Sequence, residues 1–267
     1  MGKLYLVSTG AGGTRYISQE AIAAINEADL VVSYVKYAKD LKAYIGDKPL
    51  FTTGMTKEIE RANHAVEAAK AGQTVALISN GDANVYAMGS LVVEIIDEKD
   101  YWDEIEYISL PGITSILALA SEVGAPLSQD LCLISLSDRL TDFDLIQKRI
   151  RLSLEADFVI GIYNPKSKSR LEPYRQMLEQ LKGLNDPERP VVMARDLGRQ
   201  DQFVDIITVG QLIEMGVENP EVNMSTTILI GSSKTRLTKN GKVLTPRGYL
   251  NKYDMQGEQK EQWRKEG

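Results

Sequence analysis

Residues 74–96 read TVALISNGDANVYAMGSLVVEII. The first six residues, TVALIS, form a mostly apolar run, which predicts a buried strand. The polar loop NGDAN follows, and the apolar spacing of MGSLVVEII then predicts a helix. A strand, a short polar loop and a helix in this order form the repeating unit of an α/β fold.

The same alternation extends in both directions along the chain. Upstream, strands are predicted at 4–8 and 30–34, and a helix capped by Ser18 is predicted between them. A further helix is predicted to begin at Lys57 and to end at Gly72. Downstream, the strand IEYISL closes the first series. Further helices are predicted at 115–123, 143–154 and 173–181 and after Thr208, with strands at LCLISLS, FVIGIYN, PVVMARD and TTILIGSS.

The alternation restarts after Pro111, which predicts two consecutive α/β domains with mostly parallel sheets and a cleft between them. We expect residues 1–112 to form the N-terminal domain and residues 113–250 the C-terminal domain. Residues 251–267 are dense in Lys, Glu and Gln, and this composition predicts a charged tail that is loose or a solvated helix.

The composition excludes several kinds of site. Hydrophobic residues make up 43% of the 267 residues and charged residues 25%, which is ordinary for a globular protein. The single cysteine, Cys132, excludes an internal disulfide and lies in an apolar run that predicts burial. The only histidine, His64, falls on a predicted helix surface. A chain with one histidine in such a place is unlike a Ser/His/Asp hydrolase. No metal site is therefore expected.

Charge and hydropathy restrict the partners. A net charge of -6 disfavours nonspecific nucleic-acid binding, which needs a broad basic surface. No apolar run is long enough to cross a bilayer, and no charged-then-apolar leader precedes the first predicted strand. We expect a cytoplasmic protein that contacts neither nucleic acid nor membrane.

Three loops of the first half follow predicted strands, where open α/β sheets place ligands. The loop Gly10–Ala11–Gly12–Gly13 is neither a P-loop nor a dinucleotide fingerprint, because Arg15 stands at the third glycine position. It fits a tight turn and a ligand loop equally. In the loop at 79–86, Asp82 suits a helix cap, but Asn80 and Gly81 favour contact with a small molecule. The loop at 110–115 fits a hinge or a cleft wall.

Three further polar segments end strands of the second half: ISLSD at 134–138, IYNPKSKSR at 162–170 and TPRGY at 245–249. Their basic residues are either solvated charges or ligands for an anion, since the arginine fork suits carboxylate and phosphate. These residues are Arg139, Lys166, Lys168, Arg170 and Arg247. We interpret the pattern as an enzyme with an extended anionic substrate.

The chain resembles the class III, tetrapyrrole-type S-adenosylmethionine methyltransferases over nearly its whole length. Within them it is most similar to the branch that methylates carbon 17 of precorrin-3B in cobalamin synthesis. ISLSD and TPRGY are specific to this branch. The other segments that carry the resemblance are GMTKEIERA (54–62), ISNGDANVYAM (78–88), LPGIT (110–114), GAPLSQDLCLISLSD (124–138), IYNPKSKSR and MSTTILIGSSKTR (224–236).

The resemblance implies S-adenosylmethionine as cofactor, an anionic tetrapyrrole as substrate, and a homodimer. The implied cofactor residues are Asn80, Gly81, Asp82, Val85, Thr114, Ser115, Tyr163, Asn164, Ala194, Asp196 and Leu197. The implied substrate residues are Gly10, Gly12, Arg139, Lys168 and Arg247. With one histidine, the acid or base falls to a carboxylate, a tyrosine or a substrate carboxylate, and the carboxylate candidates are Asp82, Asp138 and Glu58.

Three departures from the family pattern bear on catalysis. The family's Gly-Pro-Gly-Asp loop corresponds to Gly10–Gly13 here, so the acid of that loop is missing. The family's Gly-Asp-Pro motif has Ala83 in place of proline. Gln129 stands where the family usually has a histidine. Alternatives therefore stay open: another corrin-ring methylase, or a tetrapyrrole-binding protein without turnover. Relatives that act on diphthamide precursors or ribosomal RNA, and a dehydrogenase, fit less well. The sequence leaves open whether the substrate carries cobalt.

Overall fold

The computed structural model describes residues 1–263. The chain divides into two compact units. The first comprises Met1–Ala118 together with Asp196–Phe203, and the second comprises Leu119–Arg195 and Val204–Gly267. The first unit therefore includes a segment, 196–203, that lies far along the chain from the rest of it.

The first unit alternates strands and helices, as the sequence predicts. Its elements are β1 (Gly2–Ser8), α1 (Gln19–Glu27), β2 (Leu30–Tyr34), α2 (Val35–Asp40), α3 (Lys42–Ile45), β3 (Leu50–Thr53), α4 (Glu58–Lys70), β4 (Thr74–Ser79), α5 (Gly89–Glu98), β5 (Ile105–Leu110) and the start of α6 (Ser115–Val123). Ser18 caps α1 by accepting a hydrogen bond from the amide of Ala21 at 3.1 Å, as predicted.

The five strands of the first unit form one parallel sheet in the order β3-β2-β4-β1-β5. Because strand side chains alternate between faces, Leu4 and Leu6 pack on the side of α4 and α5. Tyr5 and Val7 pack on the side of α1 and α3. Burial on both faces explains why the central strands are apolar throughout rather than alternating.

The second unit carries a five-stranded sheet and a small three-stranded one. Its elements are β6 (Gly124–Ala125), β7 (Leu131–Ser135), α7 (Phe143–Glu155), β8 (Val159–Tyr163), α8 (Glu172–Lys182), β9 (Pro190–Arg195), β10 (Phe203–Thr208), α9 (Val209–Met215), β11 (Thr227–Ile230), β12 (Arg236–Leu237), β13 (Val243–Leu244), α10 (Tyr249–Lys252) and a 3₁₀ turn (Glu261–Trp263). The small sheet pairs β13 with β6 and β12.

The larger sheet has the order β10-β9-β11-β8-β7 and is mixed rather than mostly parallel. β7 and β8 are parallel, but β11 is antiparallel to both β8 and β9. The short link between β9 and β10 contains no helix, whereas a parallel connection needs a crossover of about a dozen residues or more. The chain therefore reverses there, and the crossover through α9 returns β11 in the reversed direction. The α/β class itself is confirmed.

Short elements continue to the last described residue of the C-terminal segment. The second half of α10 and the 3₁₀ turn lie within the predicted tail, and Tyr253 pairs with Gln259 in an isolated antiparallel bridge. The part of the predicted tail at 264–267 lies outside the described residues. Among the residues described, no helix combines the length and the apolar character that crossing a membrane requires.

Candidate functional site

Three loops meet at the carboxyl edge of the first sheet. After β1 and β4, Gly10 donates to the carbonyl of Gly81 at 3.1 Å, and Gly81 donates back to the carbonyl of Gly10 at 2.6 Å. Gly112, after β5, packs so closely that a Cβ there would overlap the Gly81 carbonyl and lie 2.6 Å from Cβ of Ser8. The three loops therefore form one joined surface.

Asp82 connects two of these loops through its carboxylate. Its Oδ1 accepts a hydrogen bond from the amide of Asn84 at 2.8 Å, and its Oδ2 accepts one from the amide of Gly112 at 3.0 Å. Both oxygens thus bind backbone N–H groups. These contacts are those of a residue that positions the loop, and the proton-transfer role stays a prediction.

The remaining cofactor candidates of the first half surround Asp82. The Asn80 amide nitrogen donates to the carbonyl of Ala11 at 3.3 Å, and the amide of Val85 donates to the carbonyl of Asp82 at 3.0 Å. Thr114 is buried, and its carbonyl accepts the first hydrogen bonds of α6, next to Ser115. The structure therefore brings Asn80, Gly81, Asp82, Val85, Thr114 and Ser115 together at one sheet edge.

The glycine loop at 10–13 packs against the segment 196–203. A Cβ on Gly12 would lie 2.7 Å from the carbonyl oxygen of Leu197, and one on Gly13 would lie 2.5 Å from that of Gly198. Backbone contact at this distance leaves no room for a side chain.

An arginine–aspartate pair fixes that segment. Arg199 donates to Oδ2 of Asp40 through Nε at 3.1 Å and through Nη2 at 2.7 Å. The Lys36 ammonium lies 3.5 Å from Oδ1 of Asp196, and Leu197 is buried. Asp196 and Leu197 thus lie in the first unit, whereas Ala194 is a buried residue of β9 in the second.

Arg170 organises the carboxyl edge of the second sheet. It is buried and donates to the carbonyls of Leu136 and Asn164, the latter at 2.7 Å, which joins the ends of β7 and β8. Asn164 adopts a left-handed conformation after Tyr163, with φ of 50°, and its amide donates to Oγ of Ser135 at 3.0 Å. Burial lowers the pKa of the Arg170 guanidinium, while Asp138, at 3.9 Å, opposes the shift.

The basic residues named from the sequence separate into two groups. Lys166 is buried and donates to the carbonyls of Val217 and Asn219, the latter at 2.7 Å, and burial lowers the pKa of its ammonium. Like Arg170, it has a structural role. Arg139, Lys168 and Arg247 are exposed and remain candidates for an anionic ligand.

The TPRGY segment is anchored by Gln129, which stands where the resemblance implies a histidine. The Gln129 amide donates to the carbonyl of Pro246 at 2.9 Å, and the Arg247 guanidinium lies 3.5 Å from the carbonyl oxygen of Ser128. Gln129 therefore supports the segment through a bond that a neutral amide makes well.

Glu58 is exposed on the first turn of α4, where it lies 3.8 Å from the guanidinium of Arg61. Sequence reasoning missed Arg61, which is only 5% exposed and donates to Oγ1 of Thr53 at 2.5 Å and to the carbonyl of Gly54 at 3.3 Å. Its Nε makes no hydrogen bond within residues 1–263. An arginine in a helical pattern gives no signal of such burial.

The single histidine and the single cysteine each contact another side chain of the fold. His64 is exposed and stacks on Phe51 with the ring centroids 3.7 Å apart. Cys132 is half-buried, donates to Oγ of Ser153 at 3.1 Å, and has its thiol pKa raised by burial. In the described part of the chain no cluster of three or more His, Cys, Asp or Glu residues could hold a metal.

Known proteins are similar to this sequence over most of its length. A protein of Methanocaldococcus jannaschii, named a probable cobalt-factor III C(17)-methyltransferase, is 40% identical over 94% of this chain and 99% of its own. A precorrin-3B C(17)-methyltransferase of a Sinorhizobium species is 35% identical over 93% and 97%. The cobalt-factor III methyltransferase of Priestia megaterium is 38% identical, but this chain spans only 46% of its length.

The sequence profile of the tetrapyrrole (corrin/porphyrin) methylases matches residues 3–213. The crystal structure of the methyltransferase CobJ superposes with a TM-score of 0.83 at 33% identity, covering 92% of this chain and all of that one. A uroporphyrin-III C-methyltransferase of Thermus thermophilus, solved with S-adenosylhomocysteine, shares the fold with a TM-score of 0.66 at 18% identity, over 86% of this chain and 97% of its own. The chain belongs to the tetrapyrrole methylase family.

Proposed function

We propose that this protein is an S-adenosylmethionine-dependent methyltransferase that methylates carbon 17 of precorrin-3B, or of its cobalt form, with ring contraction, in cobalamin synthesis. The observation that carries the proposal is the 40% identity over 99% of the length of the Methanocaldococcus jannaschii protein. The two segments specific to this branch, ISLSD and TPRGY, support the same ring position.

S-adenosylmethionine is the proposed cofactor, and the edge at Asn80–Val85 and Thr114–Ser115 is its proposed contact in the first unit. Amide, hydroxyl and backbone groups converge there, with Val85 as an apolar contact, and this donor set fits a nucleoside that carries an amino acid. When bound, the cofactor supplies a methyl group on a sulfonium leaving group. Tyr163 and Asn164 are the proposed contacts of the second unit.

The chain's own contribution to the chemistry is alignment. A ring carbon must approach the methyl group in line, and rigid positioning supplies much of the rate in such transfers. Asp82 holds the 81–84 loop against Gly112 and thereby fixes the cofactor edge. The ring contraction also requires proton movement. Asp138 and Glu58 are more accessible than Asp82, whose two oxygens both accept backbone bonds.

The proposed substrate is a reduced tetrapyrrole with acetate and propionate side chains. The exposed cations Arg139, Lys168 and Arg247 are the proposed carboxylate ligands, since charge-assisted bonds between arginine and carboxylate are strong and directional. Gly10 and Gly12 are proposed substrate residues by resemblance alone, and their proposed contribution to substrate binding is the close packing of the backbone in their loop.

The test is incubation of the purified protein with methyl-labelled S-adenosylmethionine and either precorrin-3B or cobalt-factor III. We expect one methyl group to be added and the ring to contract, with carbon 17 identified by mass spectrometry and NMR. Methylation at another carbon would identify a sibling methylase. Binding without transfer would identify a tetrapyrrole-binding protein.

We further propose a homodimer located in the cytoplasm that binds neither nucleic acid nor membrane. Light scattering coupled to gel filtration measures the mass, and a value of one chain, 29.6 kDa, would contradict the dimer. Flotation with anionic vesicles and a gel-shift assay with RNA test the other two statements.

A further inference from the structure

A second group of polar side chains lies at the carboxyl edge of the first sheet, outside the proposed cofactor contacts. Tyr34 ends β2, and Tyr37 follows it on α2. The two rings meet edge to face, with their centroids 5.1 Å apart and an angle of 82° between their planes. Cζ of Arg61, a buried residue of α4, lies 5.9 Å from the centre of the Tyr34 ring. Two tyrosines and an arginine are therefore packed together at the edge where parallel sheets place ligands.

Arg61 links this group to the loop that carries the proposed cofactor residues. Its Nη2 lies 3.9 Å from Sδ of Met88, the residue immediately before α5. Its Nη1 donates to Oγ1 of Thr53, the last residue of β3, at 2.5 Å. One guanidinium therefore contacts the ends of β2 and β3 and the end of the loop that begins at Asn80.

Arg199 links the same group to the glycine loop. It donates two hydrogen bonds to the carboxylate of Asp40, which lies one turn beyond Tyr37 on α2. A Cβ on Gly12 would lie 2.5 Å from Nη1 of Arg199, so this arginine touches the loop proposed to contact the substrate. Arg61 and Arg199 both act electrostatically on the Tyr37 hydroxyl. Within the first unit, Tyr37 is thus placed between the proposed cofactor loop and a proposed substrate loop.

The Tyr37 ring is fixed by packing, while its hydroxyl is available to a ligand. The ring is half-buried against the apolar core beneath α1 and α3. Within residues 1–263 the Tyr37 hydroxyl makes no hydrogen bond. The hydroxyl of Tyr5, by contrast, donates to the carboxylate of Glu27 at 2.8 Å. A phenol held in this way can serve a bound ligand without moving its ring.

The environment of the hydroxyl suits a proton donor. Burial raises the pKa of the Tyr37 hydroxyl, and the Arg199 guanidinium opposes the rise. Tyr34 and Glu58 raise this pKa further, whereas Arg61 lowers it. A phenol with a raised pKa carries its proton at neutral pH, and the two guanidinium groups stabilise the phenolate that forms when the proton leaves. These charges come from β2, α4 and the segment 196–203, the elements that surround α2 here.

We propose that Tyr37 donates a proton to the tetrapyrrole during the ring contraction of the proposed reaction. The proposal rests on the proposed function, because it assigns a group to the proton movement that this reaction requires. The O–H bond of Tyr37 breaks, its electron pair stays on the phenolate oxygen, and the proton goes to the substrate atom that receives an electron pair as the ring contracts. The phenolate then takes a proton from water, so this step consumes no oxidant or reductant.

Tyr37→Phe tests the proposal, because it removes only the hydroxyl and keeps the ring contacts with Tyr34 and the core. The full-length variant is assayed with S-adenosylmethionine and either precorrin-3B or cobalt-factor III. We expect kcat for the ring-contracted product to fall about a hundredfold or more, which is the size of effect typical of a proton-transfer group. KM for the tetrapyrrole and the calorimetric affinity for S-adenosylhomocysteine should change little. Tyr44→Phe is the matched control, since Tyr44 is half-buried on α3 against the same core, and it should turn over as the unsubstituted protein does.

The outcomes separate this inference from the proposed function. Unchanged kcat in Tyr37→Phe, with carbon-17 methylation by both proteins, overturns the inference and leaves the proposed function standing. Lost affinity for S-adenosylhomocysteine together with lower stability in urea would assign the hydroxyl a structural role and would also overturn the inference. Absence of carbon-17 methylation by the unsubstituted protein contradicts the proposed function, and the inference then falls with it.

Discussion

Asp82 joins two loops of the first unit through one carboxylate, whose two oxygens both accept hydrogen bonds from backbone amides. Asp82→Ala frees the amides of Asn84 and Gly112, so we expect the affinity for S-adenosylmethionine to fall by about tenfold to a hundredfold. Calorimetry measures the change. Unchanged affinity would remove Asp82 from the cofactor site.

Asp82→Asn is the companion variant. An amide oxygen retains one of the two bonds, so the loss of affinity should lie between that of Asp82→Ala and none. Full affinity combined with abolished turnover would instead identify Asp82 as the proton-transfer group, because the amide keeps the shape but cannot accept a proton.

Arg247 is exposed, and its 3.5 Å contact with the Ser128 carbonyl leaves it available to a ligand. We expect Arg247→Ala to raise KM for the tetrapyrrole severalfold and to leave kcat nearly unchanged. A residue that only holds a substrate carboxylate contacts the ground state and the transition state alike. Arg151→Ala on α7 is the matched control, because Arg151 is exposed and pairs with Glu155. Equal KM values in the two variants would reduce Arg247 to a surface charge.

Gly13 stands where the resemblance implies an acid, and its backbone packing leaves no room for a side chain. We expect Gly13→Asp to lower the free energy of unfolding by about 2–4 kcal/mol, because it combines a left-handed φ of 58° with overlap on the Gly198 carbonyl. Gly46→Asp is the control that measures the cost of the left-handed backbone alone, since Gly46 has φ of 59° and no atom within 4 Å of a Cβ. Urea unfolding compares the two, and equal losses would contradict the overlap.

At the scale of elements, Arg170 joins β7 to β8. Arg170→Met leaves the buried carbonyl of Leu136 and the partly buried carbonyl of Asn164 without their donor, so we expect the free energy of unfolding, measured in urea, to fall by about 2–3 kcal/mol. Arg175→Met on the exposed face of α8 is the control and should change stability by less than about 0.5 kcal/mol. A loss of similar size in both variants would show that the bridge is unimportant.

Long apolar strands and capped helices were predictable because their signals are local. β4 and β5 have the bounds that their sequences predict, and α6 begins and ends as expected. β3 and β10 were missed, since LFTT is short and Asp205 interrupts the apolar residues of FVDIIT, so both give weaker signals than a continuous apolar run. The direction of β11 depends on how β9 connects to β10, which no strand pattern reveals.

In the candidate site, too, local features were predictable from the sequence and contacts between distant segments were not. Resemblance named Asn80, Gly81, Asp82 and Thr114, and these residues do converge through backbone bonds at one edge. It gave no indication that Lys166 and Arg170 are buried, because a basic residue after a strand has the same pattern whether it faces a ligand or a carbonyl. The close contact of Gly13 with Gly198 joins distant segments and has no signal in either one alone.

At the scale of the molecule, the predicted cofactor residues are distributed over both units. Asn80–Val85 belong to the first, and Tyr163 and Asn164 belong to the second. If one cofactor contacts both sets, then S-adenosylhomocysteine must slow amide hydrogen exchange in both segments. At a hundred times its dissociation constant it should also raise the free energy of unfolding by about 2.7 kcal/mol.

Hydrogen-exchange mass spectrometry with and without S-adenosylhomocysteine measures this protection segment by segment. The peptide containing His64 and Phe51 is the internal reference, since no cofactor residue is predicted there. Asp82→Ala should reduce protection in both segments at a fixed ligand concentration, because a single binding event would protect them together. Protection confined to 80–85 would restrict the cofactor to the first unit, and Tyr163 and Asn164 would then serve only the chain's own fold.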